Sequence, residues 1–197
     1  MSKFSSLKHI LLLTLAFSGI TIGIYITSSR QGLPIDDAYI FKRYAIQLAE
    51  GRGFCFNSGE PSLGVSSVLW TWVLALLVKI FGKEHYFFLA QFAGMTFYAL
   101  AILLLLLLLK KKRVSFELIL LGAFFCWLAP ITFMNAISGM ESGLFAFLVL
   151  LNIFIFDLIC EKRGKAIGLI LGLAGALAFM TRPEGIYFVG VSGVLLL

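Results

Sequence analysis

The chain has 197 residues, 60% of them hydrophobic and 13% charged, with a mean hydropathy of +1.01 and a formal net charge of +6. Soluble domains are about half apolar and about a quarter charged, so the composition excludes an ordinary water-soluble core. It predicts an all-α integral membrane protein whose helices satisfy their own backbone polar groups.

The first element is "HILLLTLAFSGITIGIYITSS", which follows Lys3 and Lys8. It resembles a secretory signal, but its apolar run from Ile10 to Thr27 is long, and Ile26-Thr27-Ser28 is a poor cleavage site. The expectation is an uncleaved span over 10–27. An outer loop follows over 28–85 and carries two expected interfacial helices. In the first, about 37–50, Pro34 disfavours helix before it and Asp36 sits at the N-cap position. Ile40, Phe41, Tyr44, Ala45 and Leu48 share one face, while Lys42, Arg43, Gln47 and Glu50 point elsewhere. Gly51 and Gly53 end it. The second, about 66–81 in "SVLWTWVLALLVKIF", is too short to span, and Trp70 and Trp72 suit a headgroup boundary.

Further spans are expected at 86–109, 116–135, 143–160 and 166–181. An incomplete one at 186–197 suggests the N-terminal part of a longer protein. If residues 66–81 stay at the interface and the N-terminus is cytoplasmic, the cytoplasmic side holds nine basic residues, among them "KKKR" at 110–113, against Glu117, Asp157 and Glu161. The outer side then holds seven basic and seven acidic residues, so the whole excess charge lies inside. An N-out chain with seven full spans also puts "KKKR" inside but strands Lys3 and Lys8 outside. Read this way, the +6 charge reports topology in a plasma (inner) membrane, and no nucleic-acid partner is expected. Cys55, Cys126 and Cys160 follow no ligand spacing, and neither His9 nor His85 has a ligand partner near it in sequence, so no disulfide framework or metal centre is expected.

Under this topology the unusual polar residues converge on one side. Asp36-Asp37 reads in two ways: as a helix cap with favourable dipole charge, or as a general base poised to take a proton from a sugar hydroxyl. Glu141 lies in "SGMESG" just before a span, and Arg182-Pro183-Glu184-Gly185 just after one. Arg182 either anchors a helix end at the headgroups or binds a phosphate bidentately. Lys42 and Arg43 carry the same ambiguity.

These segments resemble the GT-C superfamily of membrane glycosyltransferases, most of all the bacterial arabinofuranosyltransferase-like group that uses polyprenyl-phosphate sugars. "DDAYIFKRYAIQLAEGRGFCFNSGEPSLGVSSVLW" is similar to that group's first outer loop, "SGMESGLFAF" to its G-L/M-E-[TS] segment and "FMTRPEG" to its R-P-E-G segment. Val68 departs where a proline is common, and Leu63 and Val65 flank Gly64 where an aromatic is often seen. The resemblance implies a multi-span helical bundle and inverting transfer of a sugar from a polyprenyl-phosphate carrier to an extracytoplasmic glycan, lipid or protein acceptor. Of the catalytic pair Asp36 and Asp37, it implies Asp36 as base and Asp37 as the group orienting it or contacting the acceptor. Glu141 is then expected to position hydroxyls and Arg182 to bind phosphate. Arg43, Tyr44 and Glu184 complete the expected substrate-binding set. No cofactor is expected: charge developing on the phosphate calls for cations or a divalent metal, and no metal ligand set supports the latter. The rival expectations are a polytopic transporter or flippase, which favours ionisable residues at mid-membrane, and a non-catalytic truncated fragment.

Overall fold

The computed structural model describes residues 33, 35–128, 130–162, 165–188 and 190–191. The expected span at 10–27 lies outside the described residues, as do residues 192–197 of the one at 186–197. The described chain is helical, without a strand among the described residues, although Cys55 and Pro61 make one isolated antiparallel bridge. Helix α1 runs Asp37–Ala49 and α2 Val68–Phe81. A 3-10 turn at Lys83–His85 leads into α3, Tyr86–Lys111. Then come α4 (Phe116–Leu128), α5 (Pro130–Ile137), α6 (Ser142–Lys162), α7 (Lys165–Thr181) and a 3-10 turn at Pro183–Gly185.

Two of these helices are long and apolar enough to cross a membrane: the continuous helical stretch Lys83–Lys111, 29 residues, and Ser142–Cys160, 19 residues. At 1.5 Å per residue both reach the roughly 30 Å of a hydrocarbon core. The expected span at 116–135 falls on α4 and α5, and residue 129 between them lies outside the described residues. Helix α7, with 17 residues, extends about 26 Å. Large apolar side chains face outward on α4 (Leu118, Leu121, Phe124, Phe125) and on α7 (Leu169, Ile170, Leu173).

Helix α3 packs against α6, α6 against α7, and α5 against α3. Glycines set how closely the backbones approach. A Cβ on Gly94 of α3 would lie 2.6 Å from the Ala136 carbonyl oxygen of α5, and one on Gly143 of α6 would lie 2.6 Å from the Gly94 carbonyl oxygen. Small residues at such crossings are how helices associate where lipid removes the hydrophobic drive. At the other end of the same pair, Asp157 of α6 holds Lys111 of α3 and the adjoining Lys112, each at 2.5 Å. Contacts at both ends in this order make α3 and α6 parallel.

Helices α1 and α2 pack on each other over the opposite end, and their core is continuous with that of the bundle. Phe41, Ala45, Trp70, Leu74, Tyr86, Leu144, Leu148 and Ala178 belong to one buried cluster. Two expectations for this layer change. Trp70 is fully buried, while Trp72 is 52% exposed, so of the two only Trp72 has the exposure a headgroup boundary would need. In α1 the buried side chains are Ala38, Phe41, Tyr44, Ala45 and Gln47, with Ile40 exposed. The buried face is therefore rotated from the one expected, because α1 must seat both α2 and the loop that Gln47 holds. Its C-terminus closes as expected around Gly51 (φ +79°), where the amide of Arg52 donates to the Gln47 carbonyl and that of Gly51 to the Leu48 carbonyl.

Gly94→Val and Gly143→Val are each expected to destabilise the fold by about 1–3 kcal/mol. Gly122→Ala, where a Cβ meets nothing within 4 Å, is expected to be neutral or slightly stabilising. Thermal unfolding in detergent followed by tryptophan fluorescence checks this, and equal effects at the three sites would contradict the close-crossing account.

Candidate active site

The three segments singled out in the sequence come together at the end of the bundle covered by α1 and α2. The turn before α6 is built first. Ser138 Oγ donates to the Asn135 carbonyl and accepts from the Met140 amide, at 2.8 and 3.1 Å. Gly139 adopts φ +75°, and the Leu33 side chain packs where its Cβ would stand. The Gly139 carbonyl accepts the indole N–H of Trp70 at 2.9 Å, 69 residues away in sequence. This bond fixes α2 to the turn that carries Glu141.

Glu141 stands immediately before α6, its carbonyl accepting the first helical bond from the Phe145 amide. Its side chain is buried, and its Oε2 has no hydrogen-bond partner. Arg182 Nε lies 3.7 Å from Glu141 Oε1 and 3.8 Å from Glu184 Oε2, and its guanidinium carbon lies 5.6 Å from the centre of the Phe145 ring. Both ion pairs are longer than hydrogen bonds, so the guanidinium is charge-balanced rather than locked. Local sequence makes this possible. Arg182 is extended, as a residue before proline prefers, and the Pro183–Gly185 turn folds back on α7. A Cβ on Gly185 would lie 2.4 Å from the backbone of Ala178 and Phe179.

Burial pushes the Glu141 carboxyl above the usual carboxylate range. Its own backbone amide and Arg182 pull it down, while the negative charges of Glu184 and Asp37 push it further up. Asp37, Glu141, Arg182 and Glu184 therefore form one electrostatic neighbourhood, although 147 positions (184 − 37) separate its first member from its last.

Asp36 and Asp37 are both exposed at the start of α1. Asp36 stands at the N-cap position with helical backbone angles and makes no capping bond with its side chain, so the helix-cap role expected of it is not the one it performs. The remaining candidates hold the loop. Tyr44 is buried, its hydroxyl lying 3.0 Å from Ser62 Oγ and accepting the Gly64 amide at 3.0 Å. Arg43 Nε donates to the Phe56 carbonyl at 2.8 Å. Lys42 Nζ sits 4.0 Å from the centre of the Phe87 ring rather than standing free in solvent. Trp70 and Phe145 were not singled out as site residues from sequence. Phe145 lies four positions after Glu141, a spacing that puts them on one helix face. Among the described residues no group of three His, Cys, Asp or Glu side chains is arranged to hold a metal ion.

The chain matches no family model, no curated protein and no solved structure.

Because the folded protein holds the Glu141 proton to higher pH than an unfolded chain does, this group favours the fold at low pH. Its contribution is lost as pH rises from the ordinary carboxylate value through the raised one. Glu141→Gln is expected to remove that slope, so the variant gains stability relative to wild type as pH rises. Unfolding midpoints measured from about pH 4 to about pH 8 check the sign, and parallel curves would rule it out.

Proposed function

We propose that this chain forms part of a multi-pass plasma-membrane glycosyltransferase of the GT-C superfamily. It transfers a sugar from a polyprenyl-phosphate carrier to an extracytoplasmic acceptor, with inversion. The observation that carries this reading is the meeting of Asp37, Glu141, Arg182 and Glu184 at one end of the bundle, from the same three segments that carry the resemblance. The outward apolar faces of α4 and α7 and the Lys111–Asp157–Lys112 cluster at the far end support several membrane crossings with the basic end cytoplasmic.

The chemistry follows from the groups present. An acceptor hydroxyl attacks the anomeric carbon of the donor from the face opposite the phosphate. As that C–O bond forms, the sugar–phosphate C–O bond breaks and its electron pair leaves with the phosphate. A carboxylate of the Asp36–Asp37 pair takes the hydroxyl proton. The sequence favours Asp36 for this; proximity to Glu141 favours Asp37. Arg182, held by long ion pairs, meets the charge that grows on the departing phosphate. The buried, unpartnered Oε2 of Glu141 is positioned to engage a sugar or acceptor hydroxyl, since an unpaired buried polar atom is costly until a ligand fills its bond. Tyr44 and Arg43 are bonded to the loop between α1 and α2.

Transfer from a panel of polyprenyl-phosphate sugars, measured with the full gene product in proteoliposomes, tests this. Asn replacing the base among Asp36 and Asp37 is expected to lower the rate by about 10²–10⁴-fold. Arg182→Ala is expected to do comparable damage, and Arg182→Lys less. Transfer that survives both Asp→Asn changes, or a folded wild type inert to every donor, would overturn the assignment.

A further inference from the structure

Between α6 and α7 lies an apolar groove of about 390 Å³ that the carboxylate–arginine cluster does not use. Leu151, Phe154, Ile155 and Leu158 line it from α6, and Ile170 and Leu173 line it among the residues of α7. The lining on α7 runs from Ile167 to Leu177, about 15 Å along the helix axis, which is the depth of one leaflet of a bilayer whose hydrocarbon core is about 30 Å thick.

The groove has a charged rim at one end. Phe154, part of its wall, carries the Lys111 ammonium 6.0 Å from its ring centre. Asp157, next to the lining residue Leu158, binds Lys111 and Lys112. Lys112, which shares Asp157, and Arg113 are exposed at this end. A slot of leaflet depth beside exposed cations calls for a molecule with an apolar tail and an anionic head.

We propose that this groove binds an acyl chain of an anionic phospholipid from the leaflet at the basic end, with its phosphate against Lys112 and Arg113. This site is separate from the proposed donor site: Asp157 stands sixteen positions after Glu141 along the α6 direction, about 24 Å at helical rise. The inference rests on membrane residence and not on sugar transfer.

The test uses the full chain purified in detergent and titrated with phosphatidylglycerol or phosphatidylcholine. Native mass spectrometry reads retained lipid, and thermal unfolding reads stabilisation. Phosphatidylglycerol is expected to be retained at one per chain and to raise the unfolding midpoint more than phosphatidylcholine does. Lys112→Gln with Arg113→Gln is expected to weaken phosphatidylglycerol on the order of tenfold, at about 1 kcal/mol for each cation near a membrane surface and less for Lys112, which Asp157 already holds. Phosphatidylcholine binding should be unchanged. Ile170→Trp, which puts bulk into the groove from an exposed position, is expected to abolish retention while the protein still folds. Asp37→Asn should leave retention intact, so a failure of the glycosyltransferase reading and a failure of this one are distinguishable. Equal retention of the two lipids, retention that survives Ile170→Trp, or no retained lipid because another helix closes the groove would each overturn the proposal.

Discussion

The hydrogen bond from the Trp70 indole to the Gly139 carbonyl is the contact on which the arrangement of the candidate site depends. Both partners are buried, and a buried donor left without its acceptor costs about 1–3 kcal/mol. The bond joins α2, which is too short to cross a membrane, to the turn from which α6 starts. Glu141 is two residues beyond that turn's glycine, so its position follows from where Trp70 sits. Tyr86 extends the same tie to α1 by donating its hydroxyl to the Ala38 carbonyl at 3.3 Å, one residue after Asp37. Two aromatic side chains with polar tips thus set the spacing between the first carboxylate pair and the second acidic residue.

The bundle beneath is organised by different physics. Close backbone crossings at Gly94 and Gly143 bring α3 beside both α5 and α6. The Asp157 carboxylate, bound by two lysines, keeps the far ends of α3 and α6 together. Charge is consequently separated along the bundle. One end gathers Asp37, Glu141, Arg182 and Glu184, and the other gathers the lysine run. A single arginine beside three carboxylates leaves this cluster short of positive charge. Burial and like-charge neighbours therefore favour a proton on Glu141, while Arg182 remains loosely paired and able to meet an anion.

The loop between α1 and α2 shows how polar residues on an amphipathic helix serve structure. Gln47 Nε2 reaches Ser58 Oγ at 3.2 Å, Tyr44 holds Ser62 and Gly64, and Arg43 holds the Phe56 carbonyl. These side chains replace the ladder that a strand would supply and satisfy backbone groups of a glycine-rich segment. A Cβ on Gly64 would lie 2.9 Å from the Tyr44 hydroxyl, so glycine there is a matter of space. Arg43 and Tyr44, expected as substrate contacts, make these bonds to the loop.

Hydropathy and length along the chain were enough to specify helices and most of their boundaries, since burying apolar side chains and satisfying backbone polar groups are local requirements. α1, α2, α3, α6 and α7 begin and end within a few residues of the expected limits. The grouping of Asp37, Glu141, Arg182 and Glu184 at one end followed from counting charges across alternate connections. Their distances, the burial of Glu141 and the inward turn of Trp70 did not. Those depend on contacts between residues tens of positions apart. A tryptophan at a membrane boundary and one buried against a glycine carbonyl have the same local sequence, and only packing in three dimensions distinguishes them.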